Sequence, residues 1–111
     1  MNFKAADKII LMGGAPLTAR LAAELKGFRL PVEAITSHRH LVEAVHPDGT
    51  TLEQALRRAG MPFISSEDIN ADPEALARIT PRSIGIALGA AWTFEPATVR
   101  RFGGRLLDFM G

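Results

Sequence analysis

Residues 83–111 read SIGIALGAAWTFEPATVRRFGGRLLDFMG, and this stretch decides the fold. Residues 84–88 form an apolar run with no polar interruption, the pattern of a strand covered on both faces. A turn of small and aromatic residues follows, Gly89-Ala90-Ala91-Trp92-Thr93-Phe94. Glu95-Pro96 then opens a helix, since proline is already shaped for the first helical position. Val99 and Phe102 are its predicted inward residues, and Gly103-Gly104 break it. Residues 105–109 read as a second strand, with Phe109 and Met110 as ordinary apolar core positions. A strand, a helix and a strand joined by short turns make a parallel βαβ unit.

The rest of the chain repeats this grammar. Lys8-Ile9-Ile10-Leu11-Met12 is a buried strand ended by the turn Gly13-Gly14. Leu17, Leu21 and Leu25 recur every four residues beside Ala22, which predicts an amphipathic helix with that stripe inward and Gly27 as its stop. Residues 32–35 form a second strand, and residues 37–49 a polar loop with a turn at Pro47-Asp48-Gly49. Thr50-Thr51-Leu52-Glu53 predicts a capping box in which a hydroxyl bonds forward and a carboxylate reaches back. Leu52, Ala55, Leu56 and Ala59 form the inner face of that helix, Glu53 and Arg57 an outer ion pair, and Gly60 its end. Pro62-Phe63-Ile64 is a short third strand, and Asp72-Pro73 caps a short helix reaching about residue 79. The expectation is an α/β domain: a three-layer Rossmann-like parallel sheet of about five strands with helices on both faces. Ligands of such sheets bind outside the carboxyl ends of the strands. Those ends are Gly13-Gly14, residues 37–40, Ser65-Ser66, residues 89–94 and residues 109–111.

Length and composition bound the function. The 111 residues suit one domain, and 13 basic against 12 acidic residues give no electrostatic case for nucleic acid. Cysteine is absent, which excludes a disulfide framework and a thiolate nucleophile. No apolar run is long enough to be a signal or membrane segment, so the chain reads as soluble and cytoplasmic. His38, Arg39, His40 and His46 are expected as solvated loop residues, because no cysteine or carboxylate stands at ligand spacing beside them; no metal is expected. Arg100 and Arg101 read as a solvated helix face. Gly13-Gly14 could hold a phosphate on backbone N–H groups, or could simply be a turn that needs small residues. Neither dinucleotide nor triphosphate loop patterns occur.

Three pieces, in order, resemble the folate-dependent formyltransferases. They are the first strand with Gly13-Gly14-Ala15-Pro16; Val32-Glu33-Ala34-Ile35-Thr36-Ser37 with the later Ala59-Gly60-Met61-Pro62; and residues 85–111. The third is the distinctive one, and the resemblance covers nearly the whole chain from Lys8. It implies transfer of a formyl group from 10-formyltetrahydrofolate, as cosubstrate, to an amine acceptor. It places the folate pterin on the backbone of Ala90, Ala91, Trp92, Thr93 and Phe94, and the acceptor or its phosphate at Gly13, Gly14 and Ala15. It places the family's Asn on Asp108 and its catalytic His on Met110. The family's catalytic Asp and its Leu-Pro loop would lie beyond Gly111, so the chain resembles the N-terminal part of a longer, here truncated, member.

Asn and His donate to the oxyanion of the tetrahedral intermediate and manage the amine's proton. An ionised carboxylate at Asp108 only accepts, and the Met110 thioether is a weak acceptor. Each lost donor is worth about 2–4 kcal/mol of transition-state stabilisation. Three readings therefore stand: a formyltransferase domain, a non-catalytic Rossmann-like binding domain, and a generic nucleotide-binding or receiver-like domain. Receiver domains need paired acids after the first strand, where this chain has Gly13-Gly14. For Trp92 two roles stay open, contact with the pterin or a half-buried plug on the sheet. An apolar last strand at the sheet's edge also predicts self-association.

Overall fold

The computed structural model describes residues 6–109. Five strands form one parallel sheet: β1 (Lys8–Gly13), β2 (Val32–Thr36), β3 (Phe63–Ser65), β4 (Ser83–Leu88) and β5 (Leu106–Phe109). Their order is β3-β2-β1-β4-β5, the Rossmann-like arrangement. Helices α1 (Ala15–Glu24), α2 (His38–Leu41), α3 (Leu52–Arg58), α4 (Pro73–Ala77) and α5 (Pro96–Arg101) connect them, with a 3-10 turn at Ile69–Ala71. Chain direction across the sheet reverses at β1, so uniform crossover handedness must put the two sets of helices on opposite faces. It does. Ile9 and Leu11 of β1 pack with Ala19 and Ala22 of α1 and Leu52 and Leu56 of α3. Ile10 and Met12 face the other way, with Ile69, Ala75, Ile79 and Phe102. The strict alternation along β1, with buried residues on both faces, is the reason its sequence is a continuous apolar run.

Local signals account for the helix starts. The Asp72 carboxylate accepts from the N–H groups of Glu74 and Ala75 ahead of Pro73. The capping box of α3 sits one residue later than the sequence suggested. Thr51 caps, the Gln54 amide reaches back to the Thr51 N–H at 2.9 Å, and the Thr50 hydroxyl instead donates to Asp48 at 2.6 Å. Glu53 is left to its ion pair with Arg57 at 3.0 Å. The polar loop after β2 is also more ordered than expected, since Ser37 caps the short α2 and Ala44 bridges to Thr51.

Other expectations about burial are corrected. Leu17 is 54% exposed, because α1 meets the sheet through Thr18, Ala19 and Ala22, whose small side chains permit closer approach than the leucine stripe would. On α5 the buried residue beside Phe102 is Thr98, while Val99 is at the surface. Phe109 is 53% exposed, so it is not a core residue. Leu106 of β5 packs under α5's face, whereas Leu107 and Phe109 lie with Ile86, Leu88, Leu17 and Leu21 around an open depression beside α1. No helix covers β5 on that side among the described residues. Gly85 shows why β4 fits beneath α5: a Cβ there would stand 2.6 Å from the Phe102 ring, so only glycine lets that ring lie on the sheet.

Candidate functional site

The switch point of this sheet lies between β1 and β4, whose carboxyl ends are held together by the Gly14 N–H donating to the Leu88 carbonyl at 3.2 Å. The chain leaves β1 toward one face and β4 toward the other, which opens a crevice where ligands of such sheets bind. Two groups of side chains border it.

The first group is built on the turn after β4. Gly89 is in the left-handed region, φ 66°, and its N–H donates to the Phe109 carbonyl, tying the turn to β5. Ala90, Trp92, Thr93 and Phe94 then line a pocket of about 440 Å³ together with Val99, Leu106, Asp108 and Phe109. The structure thus brings four of the five predicted pterin-contacting residues to Asp108; Ala91 is exposed and outside the lining. Trp92 is half-buried, meets Phe94 edge to face at 6.2 Å between ring centroids, and donates from Nε1 to the Ser66 carbonyl at 3.1 Å. Its indole is a plug and a pocket wall at once. Among the described residues, no acceptor pairs with the backbone N–H groups of residues 90–94. The turn therefore combines backbone N–H groups without a protein acceptor and an aromatic wall, the kinds of group that a flat heterocycle with carbonyl and amide edges uses. A pocket of this size also falls in the range of small-ligand sites. Met110, which the resemblance puts at the family's catalytic His, lies outside the described residues.

The second group surrounds the turn after β1. The Thr36 hydroxyl donates to the Gly13 carbonyl, and the Thr18 hydroxyl to the Gly14 carbonyl at 2.7 Å. Ala15 is the first residue of α1 and Pro16 the second, so the helix begins with few bonded N–H groups and no side-chain cap. His40 lies against Gly14. A Cβ on Gly14 would stand 2.8 Å from its Nδ1 and collide with the ring, so glycine is needed there for steric reasons. His40 is only 7% exposed, which corrects the expectation of a solvated loop residue. The Arg39 guanidinium, which can only donate, sits 3.4 Å from Nε2. The neutral ring's proton then belongs on Nδ1, which has no hydrogen-bond partner among the described residues. Burial pushes the His40 pKa below its ordinary value, with Arg39 acting in the same direction and Glu43 against it.

Arg100 is exposed as expected, whereas Arg101 also donates to the Leu76 carbonyl at 3.3 Å near the end of α4, where a cation is favoured. A larger depression, about 930 Å³, runs between α1 and α3, with alanine walls rimmed by Arg20, Lys26 and Arg58. Among the described residues no three His, Asp or Glu side chains converge as a metal site, and no helix is long and apolar enough to cross a membrane. No family model, curated protein or solved structure gives a significant match to the chain.

Proposed function

We propose that this chain binds the pterin of a reduced folate in the pocket between residues 89–94 and β5, and serves formyl transfer from 10-formyltetrahydrofolate to an amine. The observation that carries the reading is the meeting of the Trp92 turn and Asp108 around one pocket. Adjacent parallel strands bring these two ends together in any such unit; what this chain adds there is the aromatic wall of Trp92 and Phe94. The turn's unpaired N–H groups and the Trp92 and Phe94 rings are the groups that would hold the ring system. The bound donor supplies the activated formyl carbon. This chain's part is to orient it, to keep the pterin out of water with Trp92, Phe94 and Val99, and to set the charge at its edge through Asp108. The amine acceptor would approach from the Gly13-Gly14 side of the switch point. Calorimetric titration with 10-formyltetrahydrofolate tests this. Saturable binding that weakens at least ten-fold in Phe94→Ala supports the reading; no heat at about millimolar ligand contradicts it.

A second reading, a binding domain without transfer chemistry, is favoured by the exposed carboxylate of Asp108, at the position where the resemblance would put the family's Asn. An ionised carboxylate opposes developing negative charge instead of stabilising it. The β5 edge and its exposed Leu107 and Phe109 also support a proposal that the chain self-associates along that edge.

A further inference from the structure

The segment between β3 and α4 carries no chemical motif, yet it holds the candidate ligand turn at two places. The Ser66 carbonyl takes the Trp92 indole N–H, as described above, and Asn70 does the rest. Asn70 lies in the 3-10 turn, whose neighbour Ile69 is fully buried and anchors it to the second core cluster. The Asn70 Nδ2 donates to the Thr93 carbonyl at 2.7 Å and to Asp68 Oδ1 at 3.0 Å. Its Oδ1 accepts from the Glu95 N–H at 2.9 Å and from the Thr98 hydroxyl at 2.7 Å. The orientation of the amide is settled by its partners: the carbonyl and the carboxylate can only accept, and the Glu95 N–H can only donate.

We propose that Asn70 is the positioning residue of the turn at residues 89–94. One rigid amide grips the chain on both sides of Phe94, through Thr93 and Glu95, and fixes the exit from the pocket to the start of α5. Glu95 makes no side-chain cap to α5, so Asn70 supplies a polar anchor at that helix's start. It also satisfies Thr98, which explains how a threonine is buried where valine was expected. A turn held in this way meets its ligand already formed, and less ordering entropy is lost on binding. That the turn binds a pterin rests on the function proposed above; the clamp itself does not.

The two halves of the amide can be separated. Asn70→Asp keeps an oxygen for Glu95 and Thr98 but puts a second oxygen where Nδ2 donated, facing the Thr93 carbonyl and Asp68. Asn70→Ala removes both halves. The readout is backbone order parameters of the full chain without ligand, followed by titration with tetrahydrofolate. In Asn70→Asp we expect residues 91–94 to fall from the rigid range near about 0.85 to below about 0.6, while α5 stays rigid; in Asn70→Ala both loosen. We expect tetrahydrofolate affinity to fall about five- to thirty-fold in Asn70→Asp, the equivalent of one or two net hydrogen bonds. Rigid residues 91–94 in Asn70→Asp, or turn and α5 loosening equally in that variant, would overturn the proposal. If Asn70→Ala fails to fold, Asn70→Asp alone decides. Native chain that ignores tetrahydrofolate would defeat the folate reading and leave the relaxation result to judge the clamp.

Discussion

Gly14→Ala is the substitution whose cost the structure specifies most closely. The Gly14 backbone is extended, φ −136°, so alanine brings no conformational strain of its own. All of its cost comes from the new methyl meeting the His40 ring, whose nearest nitrogen would stand 2.8 Å away. The ring is 7% exposed and the Gly14 carbonyl is engaged by Thr18, so neither partner can move freely. Overpacking of this kind costs about 1–3 kcal/mol. With a urea slope of about 2 kcal/mol/M, that lowers the unfolding midpoint by about 0.5–1.5 M. The ring also identifies the rescue. His40→Ala, itself destabilising, removes what the methyl strikes, so the double variant should be more stable than the sum of the single effects by at least about 1 kcal/mol. Urea denaturation of the four proteins, followed by circular dichroism, completes the cycle. Additive effects within about 0.3–0.5 kcal/mol would mean that the ring does not lie on Gly14 and that the geometry at the end of β1 is wrong.

Three more outcomes follow from the same coordinates. The His40 pKa is lower folded than unfolded, so the unfolded chain takes up its proton first as the pH drops below 6.5; stability should be flat above that pH and decline beneath it, and His40→Ala should flatten the decline in a pH series of melting curves. Sedimentation velocity should show concentration-dependent association that Leu107→Lys, a charge on the exposed side of β5, suppresses; a native chain that stays monomeric at high concentration contradicts the edge proposal. On the proposed formyl-transfer reading, Asp108→Asn puts a donor at the pocket edge and should raise transfer by about ten-fold or more in a single-turnover assay, whereas unchanged turnover would remove Asp108 from the proposed chemistry.

The sheet was legible because its signals were redundant. Residues 9–12 and 84–88 are apolar throughout, and each is followed by glycine, so strand type, central position and turn all agreed. Facing was harder to read. The four-residue leucine repeat of α1 is real, but periodicity says only that a helix has an apolar side; close packing on β1 added Ala19 to the predicted Ala22, left Leu21 and Leu25 half-buried at the core's edge and put Leu17 at the surface. Thr98 and His40 were misjudged for a related reason. Burial of a polar side chain depends on a partner or a gap supplied from far along the chain, the Asn70 amide in one case and the missing Cβ of Gly14 in the other. The capping box slipped by one residue because Thr50 and Thr51 both offer a hydroxyl, and Asp48 took the first. Asn70 left one faint trace, an Asp-Ile-Asn turn signal ahead of Asp72-Pro73, and nothing in that trace points to a turn more than twenty residues away. At the site, the convergence of residues 90–94 with residue 108 was readable once a βαβ unit was assumed, because parallel neighbours bring their carboxyl ends together.

The most direct measurement is a chemical-shift map of the labelled chain titrated with tetrahydrofolate. Saturating shifts should concentrate in the amides of residues 89–94 and 106–109 and in the Trp92 indole N–H, with β2 and β3 silent. Shifts absent altogether, or gathered instead in the groove between α1 and α3, would contradict a pterin pocket at the end of β4.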